Sequence, residues 1–308
     1  MSAYGLMFHH FHGHSGAPQG QGSISAQELA KLIEYVGRNR ILSAEEWVLR
    51  AEDGSLNDTD ICLTFDDALR CQYDIAVPVL RDLGLTAFWF IYSSVFEGKI
   101  EPLEVHRYFR TTQFPAIEDF YKQFFHCVSD FFSKEYAHAL NGFDPDTYLV
   151  TCPFYTHSDR IFRYLRDDVL GEDRYQTVMT ALMTSHGFDG ASVVDKLWMT
   201  NENLRTLHDE GHVIGLHSYS HPTRLSSLST KGQREEYEKN LEHLAQVLGQ
   251  APVCMSHPCN SYGPETLTIL DELGVRFGFC ADMQEVRDRS RFEFARENHS
   301  NIMTRMRP

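Results

Sequence analysis

Val79-Leu80-Arg81-Asp82-Leu83-Gly84, followed at once by the apolar run Leu85 to Ile91, is the stretch that decides the fold. An amphipathic, leucine-rich helical turn ends in glycine, and a strand-type run starts directly after it. Glycine is the residue that a left-handed cap behind the last helical turn favours. The pattern returns as Leu204 to Gly211 then His212 to Leu216, as Leu244 to Gly249 then Pro252 to Ser256, and as Ile269 to Gly274 then Val275 to Cys280. Strands that are apolar throughout are covered on both faces, and repeated helix-then-strand units build parallel sheets. The chain therefore reads as α/β, with a parallel sheet that is open or closed into a barrel.

Upstream, Tyr4 to Phe11 reads as a first strand and Asp60 to Phe65 as another, entered through the turn Asn57-Asp58. A helix from Ala26 to Gly37 is announced by Ser25 with Glu28 three residues on, and Ser43 with Glu46 repeats that capping-box spacing. From about 96 to 196 the helix–strand rhythm stops. This region is rich in Phe, Tyr and His and reads as helical, for example over Ile117 to Leu140, Ser158 to Val169 and Arg174 to His186. It is an insertion or helical subdomain, either a lid or additional packing.

The 308 residues suffice for a large core. A net charge of −15 argues against nucleic acid or an anionic membrane as main partner, because both select basic patches. The seven cysteines are scattered with no CxxC pair, which favours a reducing compartment over a disulfide framework. The N-terminus lacks the basic and apolar regions of a signal peptide, and the run from Leu83 to Phe96 is too short and too interrupted to span a bilayer. The expectation is a cytoplasmic protein.

Two short segments carry the chemistry. Thr64-Phe65-Asp66-Asp67 closes the run Ile61-Cys62-Leu63 with two carboxylates, and His217-Ser218-Tyr219-Ser220-His221 follows Val213 to Leu216 with two imidazoles four residues apart. Parallel sheets bind ligands at the carboxyl ends of their strands, where Asp66-Asp67, His217, Ser256-His257 and Asp282 all fall. One carboxylate and two histidines make a divalent metal site with a position left for water, and the second carboxylate is then free as a base. The mixed N,O set suits Zn²⁺, and also Fe²⁺, Co²⁺ or Ni²⁺. Pro222 biases His221 away from helix, so the histidines are expected on an irregular turn. Taken singly, each residue has an ordinary structural reading: Asp-Asp as a helix cap, a lone histidine as a packing residue.

TFDD followed by HSxxH resembles the polysaccharide deacetylases of carbohydrate esterase family 4, which share the nodulation-type deacetylase fold. Leu204 to His217 is similar to that family's approach to its metal histidines, and Ser256-His257-Pro258-Cys259-Asn260-Ser261-Tyr262-Gly263 to its third motif. The resemblance covers about 1–95 and 197–300. It implies a distorted (β/α) barrel of about seven strands, so that 1–308 is a single barrel domain carrying the helical insertion at about 96–196. It implies Asp67, His217 and His221 as metal ligands, Asp66 as base, and N-deacetylation of an N-acetylated amino sugar. Two departures stand out: Ser256 occupies the place of an arginine that orients the base, and the usual late histidine motif is absent. Members acting on adhesin-type poly-N-acetylglucosamine open with a strand ending Tyr-His, which Leu6-Met7-Phe8-His9 resembles with Phe for Tyr. The resemblance thus makes His9 the general acid.

His10 falls on the opposite face by strand alternation; His12 and His14 belong to the following loop, and His299 is the reserve acid. Arg296 is assigned to pair with Asp66 in place of the missing arginine, the alternative being a surface salt bridge with Glu293 or Glu297. Taken together, a Zn²⁺-dependent carbohydrate N-deacetylase is expected, acting on a nucleotide- or lipid-linked precursor of a surface polysaccharide. A non-catalytic sugar- or metal-binding protein and a barrel glycosidase using Asp66 are the alternatives. A serine hydrolase is not indicated, because Gly13-His14-Ser15-Gly16-Ala17 misses the nucleophile-elbow pattern.

Overall fold

The computed structural model describes residues 3–13, 17–150, 155–284 and 290–307. His14 therefore lies outside the described residues. The chain forms two compact units, one of Met1–Lys99 with Lys196–Pro308 and one of Ile100–Asp195. In chain order the first unit begins with β1 (Tyr4–Phe8), α1 (Ala26–Val36), α2 (Ala44–Asp53), β2 (Ile61–Asp66), α3 (Val77–Leu83) and β3 (Phe88–Ile91). The second unit holds α4 (Pro102–Gln113), α5 (Ile117–Phe131), α6 (Ser133–Leu140), α7 (His157–Tyr164) and α8 (Gly171–Ser185), and α9 (Val194–Leu197) leads out of it. The first unit resumes with α10 (Asn201–Asp209), β4 (Val213–Leu216), α11 (Thr230–Leu248), β5 (Cys254–Ser256), α12 (Pro264–Glu272), β6 (Phe277–Phe279), β7 (Arg296–Asn298) and α13 (His299–Met306).

All seven strands run parallel in one sheet, in the order β6-β5-β4-β3-β2-β1-β7. Its two edges nearly meet. Phe294 exchanges backbone hydrogen bonds with Gly278 and Cys280 at the end of β6, while the next residue, Ala295, accepts from Gly5 of β1. The sheet is thus a nearly closed, distorted (β/α) barrel. Gly84 caps α3 at φ 63°, and the same left-handed turn recurs at Gly249 behind α11 (φ 74°), so the two glycines reverse the chain into the strands that follow.

Every residue of β2 and β3 is buried, as apolar parallel strands require. Alternation sends Cys62, Thr64 and Asp66 to one face and Leu63 and Phe65 to the other. The Cys62 face packs with Phe88, Phe90, Cys254, Phe277, Phe279 and the indole of Trp47 from α2. On the other face Phe65 stacks on Trp89 at 4.3 Å and on Phe8 at 5.2 Å. Asp66 therefore ends a column of interior residues and is only 2% exposed.

Several boundaries differ from expectation. β1 stops at Phe8 rather than Phe11, so His9 and His10 lie beyond the strand and alternation does not decide between them. Arg296 opens the short last strand, β7. The segment expected as one helix from Ile117 to Leu140 breaks at Phe132, whose backbone leaves the helical region (φ −136°, ψ 49°). The helix expected from Ser158 to Val169 passes into a wider π-type turn over Leu165–Leu170. The 100–195 unit has its own core, in which Phe120, Phe124, Phe162, Val178 and Met179 are buried. Among the described residues no helix is long and apolar enough to cross a membrane.

Candidate metal centre

Asp66 is the last residue of β2, and Asp67 follows with φ 79°, Ala68 with φ 55°. Two successive non-glycine residues in the left-handed region turn the chain sharply off the strand, a conformation that persists only where surrounding contacts enforce it. The consequence is that two adjacent carboxylates reach one site. His217 follows β4 directly, and His221 lies on an irregular turn in which Ser218 (φ 65°) and His221 (φ 55°) are again left-handed.

Asp67, His217 and His221 converge, their ligand-type atoms all within 4.8 Å of one another. Asp67 Oδ1 stands 3.4 Å from His217 Nε2 and 3.4 Å from His221 Nε2. That oxygen is buried and has no hydrogen-bond partner. Tetrahedral Zn²⁺ takes N and O ligands at about 2.0–2.1 Å, which places them about 3.3–3.4 Å apart. An orphaned carboxylate oxygen and two imidazole nitrogens at this spacing fit a divalent ion. His217 Nδ1 donates to the Ser256 carbonyl at 2.9 Å, an arrangement that leaves Nε2 as the free ligand atom. Burial would raise the Asp67 carboxyl, but His221, His217 and His9 outweigh it and hold the group well below the carboxylate range.

Asp66 is held differently. Arg296 Nη1 donates to Asp66 Oδ1 at 2.7 Å, and its Nε donates to the Cys280 carbonyl at 2.6 Å. Arg296 is 1% exposed, so it is an interior ion pair and not the surface bridge to Glu293 or Glu297. Its route is opened by Gly5: a Cβ there would lie 3.1 Å from Arg296 Cγ and 3.0 Å from Thr64 Cγ2. The Ser256 hydroxyl stands 3.4 Å from Asp66 Oδ1 and 2.8 Å from His217 Nδ1. Burial pushes the Asp66 carboxyl up, and Arg296, with His217 and His9, more than reverses this. Asp66 is therefore ionised at neutral pH.

His9 Nε2 lies 3.9 Å from Asp66 Oδ2 and 3.9 Å from Asp67 Oδ2, with its side chain 30% exposed. His299 is elsewhere occupied. Its two ring nitrogens face the carbonyls of Met7 (3.1 Å) and Gly22 (2.9 Å), and its ring stacks on Phe8. It holds the base of the N-terminal loop. His12 likewise bonds Ser23 within that loop. His257 is fully buried, bonded to the Phe292 carbonyl at 3.0 Å and stacked on Tyr262, and burial pushes it down to about 3. Asp282 accepts from Asn260 and from the Arg296 backbone, organising a loop.

Three supporting residues escaped the sequence reading. Gln72 donates through Nε2 to the carbonyls of Asp66 (2.6 Å) and His9 (2.8 Å), tying the ends of β2 and β1 together. Asn240 and Glu236 of α11 bond the histidine turn. The available signal was the spacing of Gln233, Tyr237, Asn240 and Leu244, all buried: polar residues at core positions of a helix ask for a polar partner.

Residues 170–278 match the family model described as polysaccharide deacetylase. That part of the chain is similar to polysaccharide deacetylases. The matched residues include His217, His221 and Ser256, while Asp66, Asp67, His9 and Arg296 lie outside them. Solved structures extend the likeness in fold over nearly the whole chain. The Streptococcus pyogenes deacetylase PplD in complex with acetate is similar at TM-score 0.58 and 14% identity, covering 100% of this chain and 99% of that one. A de-N-acetylase from Aggregatibacter actinomycetemcomitans is similar at TM-score 0.53 and 12% identity, covering 96% of both chains. IcaB from Ammonifex degensii is similar at TM-score 0.51 and 15% identity, covering 89% of this chain and 81% of that one. By sequence, the uncharacterized protein YlxY of Bacillus subtilis (strain 168) is 26% identical over 102 residues, 32% of this chain and 32% of YlxY. The match thus spans about a third of that relative's length.

Proposed function

We propose that this protein is a divalent-metal-dependent hydrolase that removes the N-acetyl group from an amino sugar. The observation that carries this reading is the orphaned Asp67 Oδ1 facing His217 and His221 Nε2, with Asp66 beside it in a separate ion pair. Asp67, His217 and His221 would hold the ion, with Zn²⁺ the best match to the N,O set. When bound, such an ion polarises the acetamide carbonyl and makes water more acidic.

The chain's own groups supply the proton transfers. Arg296 keeps Asp66 charged and fixes one of its oxygens, leaving Oδ2 on the side of His9 and His217 to accept the proton of the attacking water. The water oxygen bonds to the carbonyl carbon. As the C–N bond breaks, the departing nitrogen takes a proton from His9, and acetate and a free amine result. His9 is the exposed member of the group and stands within 4 Å of both carboxylates, as a group that must meet substrate would.

Against a non-catalytic protein stands the Arg296 guanidinium of β7 on Asp66, which supplies the partner that Ser256 cannot. The glycosidase reading would leave the two imidazoles beside Asp67 unexplained. The narrower substrate proposal is a nucleotide- or lipid-linked precursor of a surface polysaccharide. Acetate release from a panel of N-acetyl sugars, free, carrier-linked and polymeric, tests both levels. Asp66→Asn and His9→Gln should lower kcat by about 10²–10⁴ with metal retained. Wild-type protein no more active than Asp66→Asn on every substrate would overturn the hydrolase reading.

A further inference from the structure

The turn that carries the two histidines contains strained backbone, and the N–H groups of His217, Tyr219, Ser220 and His221 all find acceptors. His217 N–H is offered two acceptors, the Ile91 carbonyl at 3.2 Å and Asn240 Oδ1 at 3.0 Å. Asn240 Nδ2 in turn donates to the same Ile91 carbonyl at 2.9 Å. One fully buried amide thus bridges the ends of β3 and β4 at the point where the first histidine leaves the sheet. One turn earlier on α11, the Glu236 carboxylate accepts from Tyr219 N–H at 3.0 Å, Ser220 N–H at 2.8 Å and the Ser220 hydroxyl at 2.7 Å. From the other side, the Tyr219 carbonyl accepts from Ser93 and Ser94, and His221 N–H donates to Ser218 Oγ.

Left-handed φ at Ser218 and His221 is strained for residues with a side chain and persists only where contacts over-determine it. Glu236 and Asn240 sit four residues apart, one above the other on a helix face, and a helix is a stiffer support than a loop. Neither touches the ligand atoms. Their bonds instead fix where the His217 and His221 backbones start, and hence the 3.4 Å distances to Asp67.

We propose that Glu236 and Asn240 of α11 are positioning residues that set the metal affinity of the centre by clamping the His217–His221 turn. The proposal rests on the metal-centre reading above. Outer-shell partners of this kind change metal affinity by about 10–100-fold when removed.

The test is Zn²⁺ affinity of the metal-free full-length chain, measured by competition with a chromophoric chelator, a readout that needs no turnover. Wild type, Glu236→Gln, Glu236→Ala and Asn240→Leu are compared with Gln246→Ala, an exposed position on the same helix away from the turn, and circular dichroism checks that each is folded. The clamp is supported if both Glu236 variants and Asn240→Leu bind about 10–100-fold more weakly and Gln246→Ala is unchanged. Excess Zn²⁺ should restore kcat in Glu236→Gln, because the ligands themselves are intact. A dissociation constant within twofold of wild type in all three variants, with wild type binding normally, overturns the clamp alone. Wild type that fails to bind Zn²⁺, Fe²⁺, Co²⁺ or Ni²⁺ overturns the metal centre and the clamp together. Asn240→Leu could fail to fold, in which case the exposed-side Glu236 variants decide the outcome.

Discussion

Replacing Arg296 by Met should cost the barrel unit about 3–5 kcal/mol, the usual loss when one partner of a buried ion pair is removed. The size follows from the surroundings. The side chains of Arg296 and Asp66 are 0% and 2% exposed, so water cannot take the place of the guanidinium at 2.7 Å. The next donor to Asp66 Oδ1, the Ser256 hydroxyl, is at 3.4 Å and is shared with His217. Arg296 also donates to the Cys280 carbonyl, and that bond is lost whatever stands at 66. A double-mutant cycle with Asp66→Asn removes this common part and leaves the pair itself. The assay is urea unfolding of metal-free protein followed by tryptophan fluorescence, since Trp47, Trp89 and Trp198 all belong to the barrel unit. A coupling energy above about 1.5 kcal/mol is expected, within the range found for residues in one network. A single-variant loss under about 1 kcal/mol, or additive losses in the cycle, would refute an interior ion pair at this position.

Gly5→Ala places a methyl group 3.1 Å from Arg296 Cγ and 3.0 Å from Thr64 Cγ2. The expected result is a stability loss of about 1–3 kcal/mol with a disproportionate fall in kcat as the guanidinium shifts from Asp66; unchanged kcat would show that Arg296 does not need this passage. His212 is a buried acceptor for the Ala87 N–H, and burial pushes it down to about 4 from its ordinary value. In the unfolded chain it titrates near 6.5, so between these values the unfolded state binds more protons and stability falls as pH falls. At pH 5 this one histidine should account for about 2 kcal/mol relative to pH 8. Unfolding of His212→Gln across that range should show a correspondingly shallower pH dependence, and identical slopes would remove the assignment.

The parallel α/β fold was legible because its signal is local: a leucine-rich turn, a glycine and an apolar run, repeated. Asp66, Asp67, His217 and His221 were legible for a similar reason, since chemistry at strand ends demands particular residue types in a particular order. Arg296 is far from Asp66 in sequence and reaches it by an interior path past Gly5, which no local pattern encodes. Gln72, Glu236 and Asn240 left a fainter trace. They act through backbone carbonyls and amides of distant segments, which carry no residue signature; only Gln72 and Asn240 stand at buried positions, and Glu236 has no such mark. The ends of β1 and β7 and the break at Phe132 depend on which neighbouring strand or helix offers hydrogen bonds, a tertiary matter that periodicity does not encode.

The most direct test is metal content and acetate release measured on the same preparations. The expected result is close to one divalent ion per chain in wild type and Asp66→Asn, and almost none in Asp67→Ala with His217→Ala. Acetate release should vanish on complete chelation and return with Zn²⁺ in wild type alone. Full activity in metal-free protein, or an ion retained after loss of Asp67 and His217, would contradict a centre built from Asp67, His217 and His221.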